Sequence, residues 1–276
     1  YRPSTLIINN LEYDHADIYP DLAAIQRQFH QLIRALPGAG RLIVRAGEPN
    51  LEPLLADDVW TPVTTFSSEP GVGADFTGRA EGEYLVLQQG AKVIGTTAWR
   101  MSGGHNAENA TAALLAAREL GVEPAAALDA IARFSGVKRR LELRGTFGGV
   151  ALYDDFAHHP TAIARTLAGI RARSPDARVL VALEPRSNTM RMGVHRDALA
   201  PALAGADRCW VLRPGNLDWD LDAALAPGGA SVCDDVDTIV REISGAARPG
   251  DLVVVMSNGG FNGIHERLSQ SLAGAG

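Results

Sequence analysis

Two patterns of apolar and polar residues follow each other along the chain. In the first half, apolar residues recur every three or four positions from Leu22 to Leu36, which predicts an amphipathic helix closed by Pro37 and Gly38. Short apolar runs predict strands at residues 5–8, 41–46, 59–66, 84–88 and 92–99. We expect the last three strands to extend the sheet in antiparallel fashion. Two further helices are predicted at residues 106–120 and 124–134.

The second half alternates strands and helices more regularly. Apolar runs that predict strands lie at residues 150–153, 179–183, 209–212 and 252–256. Helical patterns lie at residues 161–172, 195–204, 236–246 and 264–272. This alternation indicates βαβ units and an α/β fold with a doubly wound, mostly parallel sheet. Because the first pattern breaks at Ser135-Gly136-Val137, we predict one domain over residues 1–136 and a second over residues 137–276.

Composition and charge narrow the classes of function. With 276 residues, of which 46% are hydrophobic, the chain can bury two cores, which excludes disorder and a disulfide scaffold. The 26 basic residues are outnumbered by 32 acidic ones, so no overall positive field favours nucleic acid or a membrane as partner. Cys209 and Cys233 lie far apart, which favours a reducing, cytoplasmic location. The longest apolar run, residues 252–256, is too short to span a membrane.

Polar residues that follow strands are the first candidates for chemistry, because ligands of such sheets bind beyond the carboxyl ends of strands. The segment from Asn9 to His15 contains amides, carboxylates and an imidazole, which suits a Mg²⁺ site and an ordinary polar loop about equally. Asn106 and Asn109 lie three positions apart near the start of a helix. An amide offers both a donor and an acceptor, so the pair suits an adenine edge, whereas helix capping explains only one of the two.

The second half contains its own candidate groups. The cluster Lys138-Arg139-Arg140 at the domain boundary suits stabilisation of a transferring phosphoryl group after domain closure, and equally a solvated basic turn. Arg186 and Arg191 follow a strand and can grip a carboxylate or phosphate. Residues 257–263 form a Gly-rich strand-to-helix turn, a weak indication of an anion site. The chain contains no Gly-x4-Gly-Lys-Ser/Thr phosphate loop.

Taken in order, the motifs resemble the ATP-dependent Mur ligases of peptidoglycan synthesis and recycling. The four that carry the resemblance are Asn10-Leu-Glu-Tyr-Asp-His15, His105-Asn106-x-x-Asn109-Ala110, Gly136-Val-Lys-Arg-Arg140 and Asp154-Asp-Phe-Ala-His-His-Pro160. The last two are similar to the branch that acts on UDP-N-acetylmuramate. Two further segments, Glu184-Pro-Arg-Ser-Asn-Thr-Met190 and Ser257-Asn-Gly-Gly-Phe261, most resemble the murein peptide ligases within that branch. The L-alanine-adding ligases are the competing resemblance.

The resemblance implies the latter part of a central ATPase domain over residues 1–136, followed by a C-terminal Rossmann-like ligase domain over residues 137–276. It also implies that the chain is a piece of a longer protein, inactive alone, since the N-terminal domain and phosphate loop of the family do not occur in it. ATP and Mg²⁺ are the implied cofactors, with His15 as a catalytic metal ligand. The implied nucleotide contacts are Asn106 and Asn109 with adenine, Arg140 with the γ-phosphate as a catalytic residue, and Asp155 with ribose. The implied acceptor site contains His158, Arg186, Ser187, Asn188 and Thr189.

The implied reaction joins the carboxylate of UDP-N-acetylmuramate, through an acyl phosphate, to the recycled tripeptide L-alanyl-γ-D-glutamyl-meso-diaminopimelate. Both substrates are small molecules. A UDP-N-acetylmuramate–L-alanine ligase and a non-catalytic peptide- or nucleotide-binding module remain alternatives. The family's carbamylated lysine is in doubt here, because the corresponding stretch offers His30 and no lysine. An NAD-dependent dehydrogenase fits the fold but requires a Gly-x-Gly-x-x-Gly turn after a strand, which does not occur.

Overall fold

The computed structural model describes residues 2–56, 59–101, 103–215 and 217–274. The chain divides into two compact units, of which the first ends at Ser135 and the second begins at Gly136. Within the described ranges, no helix combines the length and the apolar character that crossing a bilayer requires.

The first unit is built on one six-stranded sheet. Its strands are β1 (Thr5–Ile8), β2 (Arg41–Arg45), β3 (Val63–Ser67), β4 (Phe76–Glu81), β5 (Tyr84–Gln89) and β6 (Lys92–Ala98), and they lie side by side in chain order. Its helices are α1 (Leu22–Arg34), α2 (Glu52–Ala56), α3 (Gly104–Glu119) and α4 (Pro124–Arg133). Strands β1 to β4 are parallel, whereas β5 is antiparallel to both β4 and β6. The expected antiparallel extension therefore exists, but assigning residues 59–66 to it was wrong, because β3 pairs in parallel with β2 and β4.

Small residues let helix α3 lie close to this sheet. A Cβ atom on Gly78 in β4 would overlap the Thr111 hydroxyl of α3, so glycine is required at that contact. The buried face of α3 is rich in alanine and leucine and packs on Phe66 and Phe76. Leu42 and Val44 of β2 belong to a second cluster on Ile25 and Ile33 of α1. The central strands are thus covered by apolar residues of two layers, as a parallel sheet requires.

The second unit is also built on a six-stranded sheet. Its strands are β7 (Glu142–Phe147), β8 (Val150–Asp155), β9 (Val179–Glu184), β10 (Arg208–Leu212), β11 (Ser231–Cys233) and β12 (Leu252–Ser257). The helices are α5 (Pro160–Arg173), α6 (Asn188–Arg191), α7 (Arg196–Ala202), α8 (Leu221–Leu225), α9 (Val236–Ala246) and α10 (Ile264–Gly274), with 3₁₀ turns at Ala226–Gly228 and Phe261–Gly263. The predicted parallel α/β sheet is confirmed, and each predicted strand and helix of this half lies at its expected place within a few residues.

Strand order places three strand ends next to one another. The order is β11-β10-β9-β12-β8-β7, parallel throughout except for the edge strand β7. The last strand, β12, lies between β8 and β9, so the chain changes direction across the sheet there. The carboxyl ends of these strands are Asp155, Glu184 and Ser257, and such a switch point is where open α/β sheets bind ligands. Aliphatic cores cover both faces behind this edge.

Candidate functional site

Three neighbouring strand ends and one helix start form the polar edge of the first unit. Asn9 follows β1, Arg45 ends β2 and Ser68 follows β3, and α3 begins after Gly103. The edge thus gathers side chains that are far apart in sequence, and α3 contributes Glu108 and Asn109 to it.

Arg45 is buried at this edge among three carboxylates. Its Nε donates to Glu108 Oε1 at 2.8 Å, its Nη1 to Glu48 Oε2 at 3.2 Å and its Nη2 to Glu69 Oε1 at 3.2 Å. Only 9% of the arginine is exposed. Burial alone would lower the pKa of the guanidinium, but Glu108, Glu48 and Glu69 outweigh it and raise that pKa. Each of the three guanidinium nitrogens donates to a glutamate of the same unit. Arg45 therefore organises the edge and is not available to an anion.

Asn109 is held by a side chain from β1. Asn9 Nδ2 donates to Asn109 Oδ1 at 2.8 Å. Asn109 is exposed, whereas Asn9 Oδ1 is buried and accepts no hydrogen bond from the residues described. Asn9 fixes the orientation of the Asn109 amide. With respect to the described part of the chain, the NH₂ group of Asn109 and its second oxygen lone pair remain for a ligand. Asn106 lies half-buried one helical turn earlier, so the structure brings together the predicted amide pair at one edge.

His15 lies in an exposed turn after β1. It has a φ angle of 55°, its amide donates to Asp14 Oδ1 at 2.7 Å, and its imidazole Nε2 is 3.9 Å from Asp14 Oδ2. Across the described part of the chain, no three His, Cys, Asp or Glu side chains are arranged to hold a metal ion. His15 can offer one ligand to a cation, but these residues do not complete a site.

A strained turn presents Arg140 at the start of the second unit. Both of its neighbours, Arg139 and Leu141, have left-handed backbone angles, with φ of 58° and 52°. Such angles are unfavourable for long side chains and concentrate at functional sites. The amide of Arg139 donates to Glu142 Oε2 and that of Leu141 to Asp155 Oδ2, and these bonds hold the turn. Arg140 is exposed 5.5 Å from the centroid of the Phe156 ring, and no described carboxylate pairs with it.

Asp155 is buried behind that turn. It is 3% exposed, and its carboxylate accepts hydrogen bonds from the amides of Leu141 and Ala157, both at 2.7 Å. Burial raises the pKa of this carboxyl, although the two backbone amides and Arg140 favour its charged form. The structure therefore shows Asp155 anchoring the backbone around Arg140, and its ribose contact stays a prediction.

Arg139 is half-buried, in contrast to Arg140, and joins the carboxyl ends of two strands, β8 and β12. Its Nη2 donates to the carbonyl oxygens of Ser257 and Gly259 at 2.6 and 2.8 Å, and its Nε lies 3.4 Å from Asp154. Of the two arginines in the predicted basic cluster, Arg139 therefore holds the loop after β12, whereas Arg140 is exposed.

The predicted acceptor residues after β9 occupy different environments. Arg186 and Asn188 are exposed, Ser187 is half-buried and its Oγ caps α6, and Thr189 is 2% exposed. The guanidinium of Arg186 lies against Gly259. Ser257 Oγ donates to Glu184 Oε2 at 2.5 Å and joins the ends of β12 and β9. Arg186 is thus brought next to the Gly-rich turn, whereas Thr189 is almost fully buried.

The two adjacent histidines after β8 have separate structural roles. His158 Nδ1 lies 3.0 Å from the Phe156 carbonyl oxygen, and the His158 ring contacts the Phe156 ring edge. His159 accepts from the amide of Thr161 at the start of α5, and its Nε2 lies 3.1 Å from Nε2 of His195. His158 therefore contacts the same Phe156 ring that Arg139 and Arg140 approach, and its acceptor role stays a prediction.

Both cysteines are buried as free thiols. Burial raises the pKa of Cys209 to about 12 and that of Cys233 to about 11, so neither thiol is a reactive nucleophile at neutral pH.

Two residues of these edges, Arg45 and Glu108, were missed from the sequence, and Asn9, Ser257 and Gly259 were named there only within longer segments, without their partners. Position at a strand end could have indicated Arg45. The pairing itself could not, because it joins residues more than 60 positions apart.

Comparisons with known proteins find relatives of both units. The model of the Mur ligase middle domain matches residues 1–117, and that of the Mur ligase glutamate ligase domain matches residues 139–259. A UDP-N-acetylmuramate–L-alanyl-γ-D-glutamyl-meso-2,6-diaminoheptandioate ligase from Escherichia coli K12 is 46% identical over 99% of this chain and 60% of its own length. A UDP-N-acetylmuramate–L-alanine ligase from Acidothermus cellulolyticus is 32% identical over 92% of this chain and 56% of its own length.

A solved structure shows the same fold. The murein peptide ligase from Psychrobacter arcticus superposes with a TM-score of 0.73 at 39% identity, over 99% of this chain and 58% of that one. The chain thus spans about 60% of the length of the curated relatives it matches. The two family models together account for both units, and on these grounds the chain belongs to the Mur ligase family, whose middle and C-terminal domains it contains.

Proposed function

We propose that the chain contains nucleotide and acceptor sites of an ATP-dependent ligase. This ligase joins the carboxylate of UDP-N-acetylmuramate to L-alanyl-γ-D-glutamyl-meso-diaminopimelate in peptidoglycan recycling. The observation that carries the proposal is the 46% identity to a ligase of that name over 99% of this chain. In the proposed reaction the carboxylate is activated as an acyl phosphate at the expense of ATP, and the α-amine of the peptide then displaces phosphate.

The polar edge of the first unit supports an adenine site. Asn109 keeps a free NH₂ group and an oxygen lone pair, and these match an acceptor nitrogen and the exocyclic amine of adenine. The buried Asn9 Oδ1 is an acceptor that the described residues do not satisfy, and a ligand donor would satisfy it. Asn109, Asn9 and Asn106 therefore fit the nucleotide base.

The fit to Mg²⁺ is incomplete in the described residues. His15 and Asp14 supply an imidazole and a carboxylate, whereas Mg²⁺ prefers six ligands, mostly oxygen. We propose His15 as one ligand of Mg²⁺.

Arg140 supports phosphoryl transfer. It is an exposed guanidinium without a described carboxylate partner, and a strained turn fixed by Glu142 and Asp155 presents it. A cation positioned before the reaction stabilises charge that develops on a transferring phosphoryl group. We propose Arg140 as the catalytic residue at the γ-phosphate and Asp155 as a ribose contact.

Arg186 supports an acceptor with a carboxylate. Its planar fork matches a carboxylate in two hydrogen bonds, and the described residues leave it exposed and without an ion pair. We propose that His158, Ser187, Asn188 and Thr189 line the same acceptor site. The peptide is favoured over L-alanine as acceptor because the peptide ligase from Escherichia coli is 46% identical, whereas the alanine ligase from Acidothermus cellulolyticus is 32% identical.

A chimera tests the proposed function. The present chain replaces the matching part of the Escherichia coli ligase, and phosphate release is measured with ATP, Mg²⁺ and UDP-N-acetylmuramate. L-Alanine and the tripeptide are offered separately as acceptors. We expect turnover with the tripeptide only, and we expect the 276-residue chain alone to release no phosphate.

Turnover with L-alanine only would replace the proposal with the alanine ligase. A folded chimera without turnover, together with binding of the tripeptide to the 276-residue chain in calorimetry, would favour a non-catalytic binding module.

A further inference from the structure

The side chain of Arg186 lies across the backbone of Gly259. A Cβ atom on Gly259 would overlap Arg186 Nη1 and would lie 2.9 Å from its Cδ and 3.1 Å from its Cζ. Because non-bonded carbon atoms are optimally separated by about 3.5–4.0 Å, a side chain at position 259 would require Arg186 to move from this place. Gly259 is not among the glycines with left-handed φ angles, so the requirement is for space and not for an unusual backbone conformation.

The backbone under Arg186 is held from two neighbouring segments. Ser257 Oγ donates to Glu184 Oε2 at 2.5 Å and accepts from the Gly259 amide at 2.8 Å. Arg139 Nη2 donates to the carbonyl oxygens of Ser257 and Gly259. Ser257 is 1% exposed, so these bonds are shielded from water. We call residues 257–259, with these bonds, the glycine platform.

Arg186 lies on the glycine platform and forms no ion pair with the described residues. It is exposed, and none of the carboxylates in the described ranges pairs with it. Glu184, two residues earlier, is engaged by Ser257. An exposed guanidinium that forms no internal ion pair keeps N–H groups for a ligand, and its edge can bind a carboxylate through two parallel hydrogen bonds.

We propose that Gly259 is a positioning and specificity-determining residue, which acts through Arg186 to orient it for a carboxylate of the acceptor peptide. The inference rests on the proposed function, from which it takes the peptide. It adds that the glycine platform, and not Arg186 alone, sets the affinity for that carboxylate. A side chain at position 259 displaces the guanidinium, whereas one at position 260 does not.

Calorimetry with the 276-residue chain and the tripeptide tests this inference. Arg186→Ala is expected to weaken binding roughly 10- to 100-fold, the range for a lost hydrogen bond to a charged group. Gly259→Ala is expected to weaken it about 10-fold or more. In Gly260→Ala, the matched control, the added Cβ contacts nothing within 4 Å and the φ of −88° suits alanine, so affinity is expected to be unchanged.

A double variant separates a positioning role from a general loss of structure. If Gly259 acts only through Arg186, Gly259→Ala weakens binding no further in a chain that already carries Arg186→Ala. An additional loss of similar size in that chain would show that Gly259 acts on the site by another route and would overturn the inference.

The Arg186 Nε–Hε resonance in an NMR spectrum reports the glycine platform without any ligand. We expect Gly259→Ala to shift this resonance and Gly260→Ala to leave it in place. An unshifted resonance, with tripeptide affinity equal to that of the unmodified chain, overturns the inference and leaves the proposed function intact. A shifted resonance in a chain whose unmodified form does not bind the tripeptide overturns the proposed acceptor and, with it, the ligand assigned to Arg186.

Discussion

Arg45 and Arg186 lie at the carboxyl ends of parallel strands in different units, yet their surroundings are opposite. Three carboxylates surround Arg45, which is 9% exposed. Arg186 lies on the backbone of Gly259, exposed and without a carboxylate partner in the residues described. The same residue type at the same kind of position is thus an internal support in one unit and a candidate ligand contact in the other.

Position at a strand end therefore identifies an arginine as a candidate ligand contact. Whether carboxylates of the protein already pair with it decides whether it supports the structure or binds a ligand. Each nitrogen of the Arg45 guanidinium donates to a carboxylate, and removing one member of such a group leaves buried charge uncompensated. Arg186 and Arg140 keep their donors for a ligand, so their removal is expected to affect binding or rate more than folding. The following changes test this division, from the largest expected effect to the smallest.

Arg45→Met should destabilise the first unit most. It leaves Glu108 and Glu48 buried without their cation, which costs about 3–5 kcal/mol of unfolding free energy. Hydrogen exchange during urea unfolding, read separately for peptides of each unit, measures the loss. Arg213→Met is the control, because Asp222 and Asp234 pair with that arginine at the surface, where about 1 kcal/mol or less is expected. Equal losses for the two variants would contradict the division.

Arg140→Ala should slow catalysis in the chimera without unfolding it. Removal of one preorganised charge donor lowers kcat by roughly 10² to 10³. The fold should be unaffected, because Arg140 is exposed and makes no ion pair with the described residues. Steady-state phosphate release measures kcat and KM, and Arg213→Met again serves as the control. A loss confined to KM would be inconsistent with a role in the transition state.

Asn9→Ala should weaken nucleotide binding modestly. It removes one hydrogen bond that orients Asn109, worth about 0.5–1.5 kcal/mol, so KM for ATP in the chimera rises roughly 2- to 10-fold. With Asn109→Ala already present, the same substitution should change KM little further. An effect of Asn9→Ala that is independent of Asn109 would show that Asn9 does not act by orienting it.

His265 should give the second unit a small pH dependence of stability. Burial lowers the pKa of His265 below its ordinary value of 6.5, although Asp154 opposes the shift. The unfolded chain therefore binds a proton at a higher pH than the folded chain, and stability decreases as pH falls from about 6.5 through the lowered pKa. The charged residues facing the imidazole are Asp154, Arg139, Arg144 and Glu266.

Hydrogen exchange of α10 between pH 8 and 5 measures this dependence. His265→Gln should flatten the decrease in stability at low pH, because glutamine cannot bind the proton. An identical slope in both proteins would show that His265 titrates alike in the folded and unfolded chains.

Regular patterns made much of the fold predictable. The apolar runs of β9 and β12 and the helical spacing of α1 each predicted an element within two residues of its bounds. The apolar pattern did not predict the strands β4, β7 and β11. β11 has three residues, and β7 is an exposed edge strand without an apolar run. β4 contains Gly78, which is required by close packing against α3 and weakens a strand pattern.

The site was predictable only as far as strand ends and short motifs reach. The sequence indicated Asn106, Asn109, Arg140 and Arg186, whose positions after strands or at a helix start are local properties. It could not separate Arg139 from Arg140, because that depends on carbonyl groups near residue 258, more than 110 positions away. The proposed roles of these residues come from the resemblance to Mur ligases. The structure adds the neighbouring residues that hold them in place.

The glycine platform also has an entropic consequence. A free arginine side chain carries about 2 kcal/mol of rotamer entropy, which a ligand must normally overcome when it fixes the side chain. In the proposed arrangement, Arg186 has less of that freedom before binding because it lies against Gly259. The acceptor peptide therefore has less side-chain entropy to overcome when it fixes this guanidinium.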